Sequence, residues 1–416
     1  MQTAATRSSR YSLLTVAQLV VRVSGALLSA LAAGLILYLN SRTISESAAF
    51  SIAYSADPFM IWSLAILGLL GIWSAFVAIR KLNGKQPSEA PDKLLQSSLI
   101  LIPVWVTIAI AAGYLLDQKI SLAFLTPLMI LLVVIPLIIT LALGIEKIQH
   151  GTVQHFWGLV TGSIFVTMPL TMLLEGVLLL IAVSLVSVKI ASNPDLYTLF
   201  LSLSQADAAS QAQLQHAYSQ LTPLLSSPTV IYGLILGLCV LAPVVEELFK
   251  PLMIWAFAKR SLTPAQGFGM GLICGAAFAV LESALAMRMA TSLSFVQLLL
   301  GRTGTSTLHI FCTGLMGWAI VSGWRDGNVL RTALTYTGVV LMHGLWNFFA
   351  FLMGYGALSI SLPQTVESLA PASPWILALL FVLMVTILWV MKVRILAQTP
   401  PPLIQLPAEN MNEGQA

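Results

Sequence analysis

Ten apolar stretches dominate the chain, over roughly 13–39, 58–79, 96–116, 121–145, 156–188, 229–258, 265–288, 303–324, 332–354 and 374–396. A helix needs about 20 apolar residues to cross roughly 30 Å of hydrocarbon. In that medium every backbone N–H and C=O must be bonded within the protein, which leaves helices and closed barrels as the only spanning structures. Stretches this long select the helix. The expected fold class is all-α, a polytopic membrane bundle of about ten transmembrane helices. The fifth stretch is long enough to tilt or to break near Pro169. Composition agrees: 9% of the 416 residues are charged, against about 25% in soluble chains, which excludes a large soluble catalytic domain.

The basic residues act as topology signals. The net charge is +4, but Lys and Arg are scattered between apolar runs and form no stripe, so the expected partner is the lipid bilayer and not nucleic acid. With a cytoplasmic N-terminus, the inside set is Arg7, Arg10, Arg80, Lys81, Lys85, Lys93, Lys147, Lys259, Arg260, Arg325, Arg331, Lys392 and Arg394, against Arg42, Lys119, Arg288 and Arg302 outside. This asymmetry predicts both termini inside. The first stretch has a basic flank but is too long for a signal peptide, so an uncleaved anchor is expected. Cys239, Cys274 and Cys312 all lie in apolar stretches and read as buried small hydrophobes.

The expected organisation is N-terminal membrane helices of unknown role over 1–190, an extracytoplasmic loop over 191–228, and a catalytic helix bundle over 229–354. A loop and the last helix follow over 355–397, then a disordered cytoplasmic tail over 398–416. Within the loop, Gln205 to Leu221 could form a short surface helix.

Polarity inside the stretches is the functional signal. An ionisable group at a helix centre costs at least about 2.5–3.5 kcal/mol and persists where it faces protein or a wet cavity. Four acidic residues pay this cost, Glu175, Glu246, Glu247 and Glu282, and His309 and His343 lie in the same half of the chain as the last three. Glu175, alone on the fifth stretch, reads as a structural hydrogen-bonding group. Glu246, Glu282, His309 and His343 fall on four consecutive stretches, at depths that reach a common layer near mid-membrane. Gly267, Gly271, Gly275, Ala279 and Ser283 form a small-residue line that lets another helix approach closely. Glu282 leaves from that packed face. Asn347 is four residues after His343, and Lys250 four after Glu246, so each pair shares a helix side.

Two carboxylates, two imidazoles and an amide are parts for hydrolysis. A buried Glu can serve as general base to a water and then as acid to a leaving amine. A His and an Asn can stabilise an oxyanion. Alternatively, His309, His343 and Glu282 supply a His-His-Glu zinc site with the acidic pair as base. There is no HExxH motif, and the residues leave zinc-dependent and metal-free chemistry both open.

At this point a family comes into view. The segments Glu246-Glu247-Leu248-Phe249-Lys250 and Phe278-Ala279-Val280-Leu281-Glu282, then the lone His309, then His343-Gly344-Leu345-Trp346-Asn347, resemble the pattern of PrsW-type intramembrane proteases. These are relatives of the CAAX prenyl endopeptidases and of bacteriocin-immunity membrane proteins. The resemblance covers about residues 229–354. It implies an intramembrane endopeptidase that cuts membrane-anchored protein substrates with a glutamate-activated water. Glu246 would be the base, Glu247 and Lys250 its supports, Glu282 and His309 cavity or metal-binding groups, and His343 with Asn347 would lie near the oxyanion. CAAX enzymes carry Arg after the acidic pair and His in place of Glu282, so Lys250 and Glu282 point to the PrsW branch. PrsW-type members are linked to cleavage of membrane-anchored anti-sigma factors, a substrate that does not transfer to this chain. The implied location is a multi-pass position in a bacterial inner membrane. The rival readings are a proton- or ion-coupled transporter, disfavoured by crowding of the polar groups into one half, and a noncatalytic binding or immunity protein.

Overall fold

The structure is a computed structural model, and it describes residues 2–46, 58–83, 94–118, 122–148, 150–191, 225–258, 261–287, 295–357 and 361–398, with isolated residues between 192 and 224. The surface helix expected within Gln205 to Leu221 falls almost wholly outside the described residues, as do Lys119, Arg288 and the tail after Gln398. Among the described residues there is no strand, and ten helices are long and apolar enough to cross a membrane. They are α1 (Thr15–Tyr38), α2 (Met60–Leu82), α3 (Ser97–Asp117), α4 (Phe124–Ile145), α5 (Val153–Ile181), α6 (Pro228–Trp255), α7 (Pro264–Met287), α8 (Phe295–Asp326), α9 (Val329–Tyr355) and α10 (Gln364–Gln398). The protein is a polytopic helical membrane bundle.

Its centre is the antiparallel pair α7 and α8, which share the most extensive interface in the molecule. Small residues make this possible. A Cβ on Gly267, Gly271 or Gly275 would overlap the backbone carbonyl of Gly317, Thr313 or His309, respectively, so the two backbones touch along three turns. Without a hydrophobic driving force between helices in lipid, such close packing is what holds them together. Helices α4, α9 and α10 cover this pair. Leu137, Leu141, Leu272, Leu308, Met384 and Leu388 belong to one core cluster. On the opposite side, α1 and α2 dock on α5 through a polar node. The buried Arg22 donates to the Ser74 carbonyl at 2.9 Å and the Thr161 hydroxyl at 3.3 Å. All three cysteines are free and buried.

Several prolines disturb their helices, and for Pro136 and Pro243 a neighbouring helix repairs the defect. Pro136 has no N–H to offer the Leu132 carbonyl one turn earlier, and the Trp105 indole of α3 donates to that carbonyl instead, at 2.8 Å. In α5 and α6 the helix widens into π-turns at Ser163–Thr167 and Gly237–Leu241, each beginning six residues before a proline, Pro169 and Pro243. The irregularity expected near Pro169 is thus a π-turn ahead of it. In a π-turn the Leu238 carbonyl looks to residue 243 for its donor. That residue is proline, so the carbonyl is orphaned.

Candidate active site

The orphaned carbonyl fixes how α9 meets α6. Asn347 donates its amide N–H to the Leu238 oxygen at 2.9 Å. Gly344 lies against Cys239, where a Cβ would overlap the carbonyl oxygen. On the other flank the Trp346 indole donates to the Thr305 hydroxyl of α8 at 3.0 Å. These three neighbours hold α9 between α6 and α8, and His343 lies buried one turn before Asn347.

The ionic centre is built from α6, α7, α8 and α9. Lys250, fully buried, has its ammonium 2.8 Å from Glu246 Oε2, 2.7 Å from Glu247 Oε1 and 2.7 Å from His309 Nδ1. Its Nζ also lies 4.8 Å from the centroid of the Phe278 ring. Glu247 Oε1 accepts from His343 Nδ1 at 2.7 Å. Glu246 Oε2 stands 3.9 Å from His343 Nε2 and 4.0 Å from His309 Nδ1. On the far side of His309, Nε2 is hydrogen-bonded to Glu282 Oε2.

Hydrogen-bond roles assign the protons. A carboxylate only accepts and an ammonium only donates. His309 therefore carries its proton on Nε2, facing Glu282, and offers the Nδ1 lone pair to the cluster. His343 carries its proton on Nδ1, facing Glu247, and turns its Nε2 lone pair toward Glu246. Both imidazoles are presented as bases by a carboxylate behind them.

The ligand atoms of Glu246, Glu247, His309 and His343 all lie within 4.8 Å of one another. Two of them have spare capacity: Glu247 Oε2 is buried without a hydrogen-bond partner, and Glu246 Oε2 approaches Lys250 off the hydrogen-bonding direction. A mixed carboxylate and imidazole set of this kind suits a divalent metal. The residues fit such an ion, with Lys250 re-aimed, since its ammonium contacts three of the four. Glu282, expected with His309 and His343 as a ligand, instead lies behind His309 and outside this group.

Two neighbours of the centre stand outside the motif set. Glu175 of α5, read as structural, lies close enough to Glu246 for the two carboxyls to interact, and its Oε1 is buried without a hydrogen-bond partner. Arg302, read as a loop residue marking topology, lies inside a helix, because α8 begins at Phe295 and not near residue 303. Its Nη2 is 2.9 Å from Glu282 Oε1. A signal existed: Arg302 precedes His309 by seven residues, two helical turns, so both leave the same face.

A membrane-embedded helical bundle with paired carboxylates and imidazoles buried at its centre defines a class, that of intramembrane enzymes with a polar reaction centre shielded from lipid. The chain matches the family described as PrsW family intramembrane metalloprotease over residues 156–391, more than half its length, and it belongs to that family. The matched region extends beyond the motif-bearing stretch to take in most of α5 and part of α10. No curated protein and no solved structure gives a significant match.

Proposed function

We propose that the protein is an endopeptidase that cuts membrane-anchored protein substrates within the bilayer, with Glu246 activating the attacking water. The observation that carries this reading is the position of Glu246. Its Oε2 faces the Nε2 lone pair of His343 across a gap of 3.9 Å, a distance at which a water can bridge. Glu246 accepts the water's proton as the hydroxide attacks the scissile carbonyl and returns it to the leaving amine. Lys250 holds Glu246 and Glu247 against mutual repulsion. Glu247 keeps the His343 lone pair turned toward Glu246, and His343 lines the space where the oxyanion develops. Asn347, expected beside that oxyanion, acts here as a positioning residue through the Leu238 carbonyl. A zinc ion, when bound, would be held by Glu247, His309 and His343, leaving Glu246 as the base, and would supply Lewis-acid polarisation. Both termini are assigned to the cytoplasm of a bacterial cell, with the bundle in the inner membrane.

The test uses the full chain in lipid nanodiscs with a single-span fusion substrate. Glu246→Gln keeps the fold by thermal denaturation and abolishes cleavage. Retained cutting by that variant removes Glu246 from the mechanism. Chelator treatment of the wild type, with metal content measured before and after, separates the zinc-dependent version, which loses cleavage, from the metal-free one, which keeps it.

A further inference from the structure

A charge of either sign inside the bilayer is expensive, and Arg302 is neither part of the four motifs nor paired at random. Its Nη2 reaches Glu282 Oε1 at 2.9 Å, and Nε and Nη2 both donate to the Ser283 hydroxyl at 3.2 and 3.1 Å. Ser283 lies 3.1 Å from Ser306 across the α7–α8 interface. The guanidinium is thereby fixed by two adjacent α7 residues while growing from α8. Glu282 uses its two oxygens in opposite directions, Oε1 to Arg302 and Oε2 to His309. It is only half-buried. A half-buried carboxylate with one partner removed is free to rotate away from His309.

We propose that Arg302 is a positioning residue that pins Glu282, so that Glu282 holds His309 in its Nε2–H tautomer with the Nδ1 lone pair turned into the centre. The chain of contacts runs from the cationic Arg302 through the anionic Glu282 and the neutral His309 to the cationic Lys250, which touches Glu246 and Glu247. His309 has no backbone hydrogen bond to fix its ring. Lys250 donates a hydrogen bond to Nδ1 but, being a freely rotating ammonium, does not define the ring plane, which the Phe278 and His343 edge contacts and the Glu282 bond must set. Loss of Arg302 removes the restraint on the Glu282 bond.

The inference rests on the protease reading for its effect on turnover, but not for its effect on the imidazole. The experiment therefore reads both. Full-length protein labelled with ¹⁵N-histidine is placed in lipid nanodiscs; the chain has five histidines, and His309→Gln assigns the relevant signals. The wild type is expected to show His309 as a single tautomer, Nδ1 unprotonated and Nε2 protonated. Arg302→Met is expected to show a mixture, with kcat for substrate cleavage reduced about 10–100-fold, the range for loss of a group that orients an active-site histidine, and KM unchanged. Arg302→Lys restores the charge toward Glu282, and with it the single tautomer and most of kcat. Should Arg302→Met fail to fold, Arg302→Gln carries the same comparison. A His309 spectrum unchanged by loss of the guanidinium overturns the proposal, whatever happens to cleavage. A spectrum that shifts as expected in a protein whose wild type cuts no substrate upholds the positioning role and overturns the protease reading instead.

Discussion

Gly275 offers a severe test of the idea that α7–α8 packing sets the geometry of the centre. A Cβ there would overlap the carbonyl oxygen of His309 and would stand 2.9 Å from both the His309 carbonyl carbon and the Ile310 Cα. Comfortable carbon–carbon contact begins near about 3.5 Å, so Gly275→Ala must displace the α8 backbone at His309 by roughly 0.5 Å or more. No flexible side chain can yield in its place, because the obstructing atoms are backbone. Overpacking of this kind costs about 1–3 kcal/mol of stability. The effect on chemistry is larger, since a displacement near 1 Å at reacting groups costs about 10²-fold in rate. Half that displacement, applied to the backbone that carries His309, is expected to lower kcat by about tenfold. Gly301, on the same α8, has nothing within 4 Å of its notional Cβ and serves as the control. The assay compares Gly275→Ala and Gly301→Ala for thermal midpoint and for initial rate on a single-span substrate. Full wild-type rate in a folded Gly275→Ala protein would refute the argument that this helix contact positions His309.

Two further substitutions separate support from chemistry. Asn347→Ala leaves the Leu238 carbonyl without its donor, which is expected to lower stability by about 1–3 kcal/mol along with kcat; lost activity at unchanged stability in detergent denaturation would return Asn347 to the oxyanion. Trp105→Phe orphans the Leu132 carbonyl, remote from the centre, and is expected to lower stability by a similar amount, about 1–3 kcal/mol, while the folded fraction cuts at the wild-type rate. A large fall in that rate would show that the α3–α4 contact communicates with the site.

The legibility of this protein in its sequence divides along a physical line. Membrane spans are legible because burial in lipid demands long apolar runs whatever the neighbours are, and the ten stretches coincide with ten helices. The motif residues are legible because buried charge is too costly to be incidental. Arg302 was hidden for the complementary reason: a single charge near a helix end carries the same composition signal whether it faces water or a partner. Deciding between those requires the helix start, and α8 begins a full two turns before the sequence suggests because Gln297, Gly301 and Arg302 dilute its apolar character.

The contact that Asn347 makes was hidden more deeply. Position four after His343 correctly puts it on the same side of α9, but its partner is the Leu238 carbonyl, freed by a π-turn and a proline on a different helix. Trp105 and Leu132 repeat the logic with Pro136. In lipid an orphaned carbonyl has no water to turn to, so an intramembrane proline creates a demand for a donor, which for Pro136 and Pro243 another helix meets. The demand is readable from one sequence; the donor is not, because it depends on which helix packs there. For this chain, the residue that answers Pro243 lies one turn from His343, and a proline defect on α6 thereby helps to set the register of the helix that carries half of the imidazole pair.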